Sequence, residues 1–274
     1  MADLQAASNP KLLGAGRSGQ VFLVESQAGS IARKVFFGDT ITNLIHYFFF
    51  GAPNPYIWNE DALQSAYYRR KIITDLVQFW FSDKLTVADA TDTGWHEQLK
   101  AYQLDTKFAK GRAVALHQPF NSDGDAEVKD LVHNIMLSLQ NKLIQAGFDG
   151  LVWQAGKGNP VALNNFLLVD DSAPDSYHFV WIDLEFGVPA LIPLNPLSLF
   201  SFYLPKSFKY RRALFDDVDT SKFKNYINAH KVNLEAQLGS RRCLTILDYI
   251  ERLEYHQNRW KLMRRVNRMY SVSI

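Results

Sequence analysis

Residues Leu13–Val21 have the sequence LGAGRSGQV, and residues Ile31–Lys34, a short distance along the chain, have the sequence IARK. The first stretch follows the pattern G-x-G-x-x-G-x-V, whose defining residues are Gly14, Gly16, Gly19 and Val21. Because glycine has no Cβ, a loop of spaced glycines can bring backbone N–H groups close to a polyphosphate. The apolar residues that follow predict a strand, a turn and a returning strand that carries Lys34 on the same face as Ala32. The pattern therefore predicts a β-hairpin that covers the phosphates of ATP.

A Rossmann-type dinucleotide site is the alternative interpretation of the same glycines. That fingerprint requires a helix directly after the glycines and an acidic residue about 20 residues further on. Residues Gln20–Val24 are a poor start for a helix, and the basic residue Lys34 lies near the position of the expected acid. The hairpin is therefore preferred, and a dinucleotide-binding enzyme is kept as an alternative.

Composition places the chain among globular proteins. Its 274 residues are enough for a large core, and a hydrophobic content of 47% excludes a disordered chain. A single cysteine, Cys243, excludes an intramolecular disulfide and favours a reducing compartment. The chain starts without the pattern of a secretory signal and has no uncharged apolar run long enough to span a bilayer, so a cytoplasmic location is expected. The net charge of +2 argues against a nucleic-acid partner.

A long helix is predicted after the loop that ends near Pro55. Asn59 is suited to cap it, and the helix is expected to run from about Glu60 to Trp80. Acidic residues lie in its first turn and basic residues lie further along, as the helix dipole favours.

The middle of the chain predicts a hairpin and then a change of domain. Residues 101–105 and 113–117 are expected to pair across a basic turn, and residues 118–120 are expected to connect two lobes. A helix with one apolar stripe is then predicted from about Ala126 to Ala146. These patterns divide the chain into an N-terminal lobe of residues 1–119 and a C-terminal lobe of residues 120–274.

A second motif lies far from the glycines. Residues Val180–Gly187 have the sequence VWIDLEFG, in which a strand leads into Asp183, and residues Val161–Asp171 place Asn164 and Asn165 at the start of another strand. Two short neighbouring strands would present an asparagine and an aspartate to one point. Hard divalent cations prefer such oxygen ligands and share them with phosphates, so the motif predicts a magnesium site.

The order of glycine loop, lysine, asparagine and aspartate resembles the protein-kinase-like superfamily, especially the bacterial small-molecule and lipopolysaccharide kinases. The resemblance covers about residues 12–190. It implies a two-lobed α+β fold with a small antiparallel-sheet N-lobe and a mostly helical C-lobe. It also implies that ATP and Mg²⁺ bind between the lobes.

The resemblance assigns a role to each motif residue. Lys34 would contact the α- and β-phosphates, beneath the three glycines. Glu60, or else Asp61, would form an ion pair with Lys34 from the long helix. The expected metal ligands are Asn165 or its neighbour Asn164, Asp183, and Glu185 as a second acidic ligand.

One element of that family is missing from the sequence. Kinases place a catalytic aspartate about five residues before the metal-binding asparagine. The corresponding position here is Pro160 or, in another alignment, Ala155, and residues 150–169 contain no acidic residue. Asp149 lies just outside that range. Two functions are therefore considered: an ATP-dependent phosphotransferase, and a pseudokinase that acts as a regulatory or binding module.

The C-terminal part bears on the acceptor. Residues 188–205 are uncharged and contain four prolines, and the last of two predicted C-terminal helices is basic and amphipathic. We expect the acceptor to be a non-protein hydroxyl, on a small molecule such as a sugar or on a glycolipid of lipopolysaccharide type. Peripheral contact with an anionic membrane is a further expectation.

Overall fold

The computed structural model describes residues 10–16, 18–26, 29–38, 40, 43–44, 47, 54–114, 126–159, 161–173, 176–185, 196–210 and 217–271. In the last helix it describes side chains as far as Leu262. Nine strands and seven α-helices are found in these ranges, together with short 3-10 and π-helical turns.

An antiparallel sheet of five strands forms the N-terminal lobe, in the order β1-β2-β3-β6-β5. Its strands are β1 Lys11–Gly16, β2 Gly19–Ser26, β3 Gly29–Val35, β5 Ala90–His96 and β6 Ala101–Lys107. Gly16 pairs with Gly19 across the β1–β2 turn, and Val21 pairs with Lys34 between β2 and β3. The predicted strand–turn–strand arrangement is confirmed, and the helix that a Rossmann site requires after Gly19 is replaced by a strand.

The long helix α1, Glu60–Phe81, joins this sheet to the rest of the molecule. Asn59 caps it as predicted, because its side-chain oxygen accepts a hydrogen bond of 2.9 Å from the backbone N–H of Ala62. The first half of α1 packs in the N-terminal core, which includes Phe36 and Tyr56. The second half packs in the larger C-terminal core. The helix is therefore shared by both lobes.

A second sheet of four strands lies beyond α1, in the order β4-β9-β8-β7. Its strands are β4 Leu85–Val87, β7 Arg112–Ala113, β8 Phe166–Asp170 and β9 Tyr177–Trp181. The predicted antiparallel pair that leads into Asp183 is β8 and β9.

The predicted pairing of residues 101–105 with 113–117 is wrong. Strand β6 pairs with β3 and β5 in the first sheet, and β7 pairs with β8 in the second sheet. The turn at residues 108–111 therefore passes from one sheet to the other instead of closing a hairpin. The connection predicted at residues 118–120, and with it the boundary near residue 120, lies outside the described residues.

The remainder of the chain is mostly helical. The helix predicted from Ala126 is formed by α2 Ala126–Lys129, a π-helical stretch Asp130–Met136 and α3 Leu137–Gln145. Short 3-10 turns, Leu151–Trp153 and Ala162–Asn165, precede β8. The later elements are α4 Pro196–Ser198, a π-helical stretch Leu199–Tyr203, α5 Leu204–Lys209, α6 Thr220–Leu238 and α7 Ser240–Ser271.

Helix α7 contacts both lobes. Its Arg242 forms an ion pair with Asp75 near the end of α1, and its buried Trp260 belongs to the N-terminal core. The two predicted C-terminal helices are confirmed, separated at Gly239. The predicted fold class, an antiparallel-sheet lobe followed by a mostly helical lobe, is also confirmed. Within the described ranges, none of the helices combines the length and the apolar character that a bilayer-spanning segment requires.

Candidate functional site

An ion pair joins the two motifs that the sequence analysis singled out. The Nζ atom of Lys34, on β3, lies 2.7 Å from Oδ1 of Asp183, which follows β9. The lysine side chain is largely buried, whereas the aspartate side chain is partly exposed. Two residues 149 positions apart in the chain therefore meet at one point between the lobes.

A cavity of about 730 Å³ surrounds this ion pair. Both lobes contribute to its lining, and the glycine hairpin forms one wall. Its apolar lining includes Val21, Ala32, Leu104 and Leu167. The cavity thus combines an apolar slot with a charged end, which is the general character of sites for small molecules and cofactors.

The three glycines differ in what their backbone positions require. A Cβ atom at Gly19 would lie 2.2 Å from the carbonyl oxygen of Val35, so only glycine allows β2 to approach the end of β3 this closely. A Cβ at Gly14 or Gly16 would meet no atom within 4 Å. Gly19 is therefore required by the hairpin itself, while Gly14 and Gly16 leave the space beside the cavity open.

Asn165 lies at the charged end of the cavity, held by its neighbours. Its Nδ2 donates to the backbone oxygen of Gln154 at 2.9 Å and to Oε1 of Gln154 at 3.1 Å. Gln154 in turn donates to the backbone oxygen of Glu185 at 3.1 Å. Because the amide nitrogen faces Gln154, the amide oxygen is the atom of Asn165 that is left for a ligand. Its lone pairs can coordinate a cation or accept a hydrogen bond.

A divalent cation would find few protein ligands here. Among the described residues, no group of three or more histidine, cysteine, aspartate or glutamate side chains is placed to hold a metal ion. The side chains with oxygen atoms at the charged end are those of Asp183, Asn165, the exposed Asn164 and the buried Glu185. Such a donor set fits a hard cation like Mg²⁺, which is commonly held by one or two carboxylates together with substrate phosphates.

Glu185 is held in an ion pair with the long helix. Its carboxylate receives two hydrogen bonds from Arg70, Nε to Oε1 at 3.0 Å and Nη2 to Oε2 at 2.8 Å. Lys34 Nζ lies 3.6 Å from the same Oε2. Burial alone would raise the pKa of Glu185, but the attraction of Arg70 and Lys34 outweighs it and lowers the pKa to about 2. The carboxylate is thus charged and already engaged by two cations, which makes it a poorer candidate for the metal role than Asp183.

Lys34 is fixed in its charged form by the same cluster. Burial alone would lower its pKa, but the neighbouring Asp183 and Glu185 more than compensate, so the pKa of Lys34 is raised. A charged lysine beside an apolar cavity is a suitable partner for a phosphate group.

The structure does not bring Glu60 to Lys34. Glu60 is exposed in the first turn of α1, and Asp61 pairs instead with His256 and Arg259 of α7. Helix α1 contributes Arg70, which reaches Lys34 only through Glu185. The ion pair expected from the resemblance, between lysine and a helix glutamate, is therefore corrected to a chain of lysine, glutamate and helix arginine.

Sequence reasoning missed Arg70 because the basic residues after the acidic first turn of the helix were attributed to the helix dipole. The available signal was its helical spacing, because Arg70 lies four residues after Ala66 and three residues before Ile73, on the apolar stripe of α1. A charged residue on such a stripe needs a buried partner.

Asp149 does not replace the missing catalytic aspartate. It is buried, with Oδ1 lying 3.3 Å from Nζ of Lys206. Among the described residues that line the cavity, the carboxylates are those of Asp183 and Glu185. The loop before Asn165 carries Gln154 toward the site instead of an acid.

Comparison with known proteins gives structural neighbours only. No family model matches the chain, and no curated protein matches its sequence. The solved structures that it resembles include protein kinase domains. One double mutant of the PknI kinase domain of Mycobacterium tuberculosis is 14% identical, with a TM-score of 0.36, over 67% of this chain and 62% of that domain.

Two other comparisons cover more of both chains. A different double mutant of the PknI kinase domain is 15% identical, with a TM-score of 0.37, over 89% of this chain and 94% of that domain. The kinase domain of maize SIRK1, a sucrose-induced receptor kinase, was solved with AMP-PNP bound and is 8% identical, with a TM-score of 0.33, over 93% and 88%. A kinase-like assignment of this chain therefore depends on the geometry of the cleft and not on these neighbours.

Proposed function

We propose that this chain is a kinase-like protein that binds ATP with Mg²⁺ in the cleft between its lobes. The observation that carries the proposal is the ion pair between Lys34 and Asp183 beneath the glycine hairpin. Phosphate recognition by backbone N–H groups requires the open approach that Gly14 and Gly16 provide. The apolar slot beside Val21, Ala32 and Leu104 is suited to a planar base.

We further propose that the bound nucleotide serves as a phosphoryl donor. The γ-phosphoryl group would pass to a hydroxyl of a non-protein acceptor, giving ADP, a phosphate ester and a released proton. Lys34 would neutralise phosphate charge, and Asp183 with Asn165 would hold Mg²⁺, which supplies further charge neutralisation at the phosphates. The acceptor class, a sugar or a glycolipid of lipopolysaccharide type, depends on the sequence resemblance alone.

A pseudokinase is the second candidate, and one observation favours it. No carboxylate from the loop before Asn165 reaches the described part of the cleft, and Asp149 is buried against Lys206. General-base assistance typically contributes roughly 10²–10⁴-fold to a rate. Phosphoryl transfer depends mainly on positioning and charge neutralisation, so a transferase lacking this group would be slow rather than inactive.

Nucleotide binding is tested by thermal unfolding with increasing ATP, with and without Mg²⁺, and with NAD as a comparison. Ligand at about 100 times its Kd stabilises a protein by about 2.7 kcal/mol, which corresponds to a rise in Tm of roughly 5–11 °C for a chain of this size. Lys34→Ala should remove most of the ATP-induced rise, and Asp183→Ala should remove its Mg²⁺-dependent part. Matched controls are Lys231→Ala and Asp248→Ala, which alter exposed side chains on α6 and α7.

Three outcomes separate the alternatives. ATP binding followed by ADP release in the presence of a sugar or glycolipid acceptor would support the transferase. ATP binding without turnover would support the pseudokinase. An equal response to NAD, or no loss of binding in Lys34→Ala, would contradict the proposed site.

A further inference from the structure

A stripe of exposed apolar side chains runs along the helical segment of residues 196–209. This segment is continuous, because α4, the π-helical stretch Leu199–Tyr203 and α5 follow one another directly. Leu197, Phe200 and Phe208 are 78%, 64% and 80% exposed. Their spacing of three and eight residues places them along one face of the segment, and the half-buried Leu204 between them also packs against the larger core.

The opposite face attaches the segment to the C-terminal lobe. Leu199 and Tyr203 are buried in the larger core, and the hydroxyl of Tyr203 donates to the backbone oxygen of Lys157 at 3.0 Å. The exposed stripe therefore belongs to an anchored helical segment. Isolated exposed apolar residues are common on protein surfaces, but several large ones in a row indicate an interaction surface.

The charge pattern around the stripe is one-sided. The sequence between Glu185 and Asp216 contains no acidic residue, and it contains four basic residues, Lys206, Lys209, Arg211 and Arg212. Within the described part, Lys206 lies 3.3 Å from the buried Asp149, while Lys209 is on the exposed surface. Arg211 and Arg212 follow directly in the sequence and lie outside the described residues.

We propose that this surface, Leu197, Phe200 and Phe208 with the exposed Lys209 next to Phe208, binds an anionic lipid bilayer. Leucine and phenylalanine side chains can enter the boundary between headgroups and acyl chains, while basic side chains stay at the level of the phosphates. Each basic residue near such a surface adds attraction that falls off within a Debye length. The absence of acids from the segment favours a negatively charged occupant over a neutral apolar one.

The proposal is independent of nucleotide binding. It also differs from the expectation placed on the last helix, whose described residues Arg259, Trp260 and Lys261 contact Asp61, the N-terminal core and Asp217. The hydrogen bond from Tyr203 to Lys157 places the bilayer-binding segment beside the loop that carries Gln154.

Co-sedimentation of the full chain with vesicles tests the proposal. One vesicle preparation contains phosphatidylcholine alone, and the other contains phosphatidylcholine with phosphatidylglycerol. We expect binding to the anionic vesicles, weaker binding at high salt, and little binding to the neutral vesicles. The triple variant Leu197→Glu, Phe200→Glu, Phe208→Glu should lose at least about tenfold in binding, since it removes the apolar insertion and adds negative charge.

A matched triple variant separates the stripe from total charge. Leu137→Glu, Val232→Glu, Leu244→Glu introduces the same charge at exposed apolar positions on other helices. This control should bind anionic vesicles much more tightly than the stripe variant. Lys209→Glu alone should weaken binding several-fold and reduce its salt dependence.

Correct folding of each variant is checked by its unfolding midpoint, and Phe208→Glu alone replaces the triple variant if that variant fails to fold. The proposal would be overturned if the two triple variants lost the same amount of binding to anionic vesicles. It would also be overturned if the wild type bound neutral and anionic vesicles equally well, or bound neither. The proposal would also be overturned if the stripe variant lost binding to a protein partner but bound vesicles as well as the wild type does. The ATP-induced rise in Tm should be the same in the stripe variant and the wild type, so failure of one proposal does not imply failure of the other.

Discussion

Replacing Arg70 with methionine would leave Glu185 as a buried carboxylate with Lys34 as its nearest remaining cationic neighbour. Arg70 and Glu185 each have only 1% of the side chain exposed. Beyond its two bonds to Glu185, Arg70 also donates to the backbone oxygens of Ala88 at 2.7 Å and Ile182 at 3.1 Å. After the substitution, the nearest remaining cation is Lys34, at 3.6 Å.

The expected cost follows from this burial. Removing one partner of a buried, hydrogen-bonded ion pair typically costs about 3–5 kcal/mol, because the other charge stays buried without full compensation. For a chain of this size that corresponds to a fall in Tm of roughly 6–20 °C. The double variant Arg70→Met, Glu185→Leu removes both charges, so it should lose less stability than the sum of the two single variants.

Urea denaturation of the wild type, the two single variants and the double variant gives the coupling energy. A suitable control is Arg252→Met, whose partner Asp248 lies on the same exposed helix face, and which should leave the urea midpoint almost unchanged. A cost below about 1 kcal/mol for Arg70→Met would show that the pair behaves like a surface ion pair and would refute the reasoning. If the losses of unfolding free energy in the two single variants add up to the loss in the double variant, the two side chains act independently.

Three further predictions concern other parts of the structure. The pKa of Glu185 is lowered from 4.5 to about 2, so its contribution to stability is present above pH 4.5 and is lost as the pH falls towards 2. The difference in unfolding free energy between the wild type and Glu185→Gln, measured by urea titration, should shrink over that pH range. Gly19→Ala should cost roughly 1–3 kcal/mol in chemical denaturation, because its Cβ would overlap a β3 carbonyl, whereas Gly16→Ala should leave stability nearly unchanged. Trp260→Ala should cost about 3–5 kcal/mol by emptying part of the N-terminal core, and Leu244→Ala, at an exposed site on the same helix, should have little effect on the unfolding midpoint.

Local patterns predicted the elements around the glycines well. The apolar residues after the spaced glycines were enough to place β2 and β3, and Asn59 marked the start of α1, whereas β1, which carries Gly14 and Gly16, was expected to be a loop. These elements are set by interactions between residues close in sequence, for which period and capping rules are direct consequences of backbone geometry. The strands that lead to Asn165 and Asp183 followed from the same rules.

Pairing between distant segments was harder to predict. Residues 101–105 and 113–117 were both predicted to be strands, but sequence alone did not show that the strands observed there, β6 and β7, belong to different sheets. The partners of β6 are β3, which is distant in the sequence, and β5, whose sequence ATDTGWH has a weak alternation of polar and apolar residues that did not predict a strand. A pairing rule based on proximity therefore chose the wrong neighbour.

The candidate site was likewise predictable where local motifs mark its residues and not where their role depends on packing between distant segments. Lys34 and Asp183 were predicted from motifs, and the structure places them 2.7 Å apart. The role of Arg70 depends on which face of α1 meets the loop after β9, and that depends on packing of both lobes. Charge type alone could not distinguish Arg70, which reaches Glu185, from the equally buried Arg69, which donates to Tyr56.

Helix α1 has one further consequence for how a ligand enters and leaves. The first half of α1 lies in one core and its second half lies in the other, and α7 packs along it. Rotation of one lobe relative to the other would therefore disturb both cores. Strand β1, by contrast, is exposed along its whole length. Because β1 also lies at the edge of its sheet and pairs with β2 alone, it is the part of the cleft wall that can be displaced without disturbing either core.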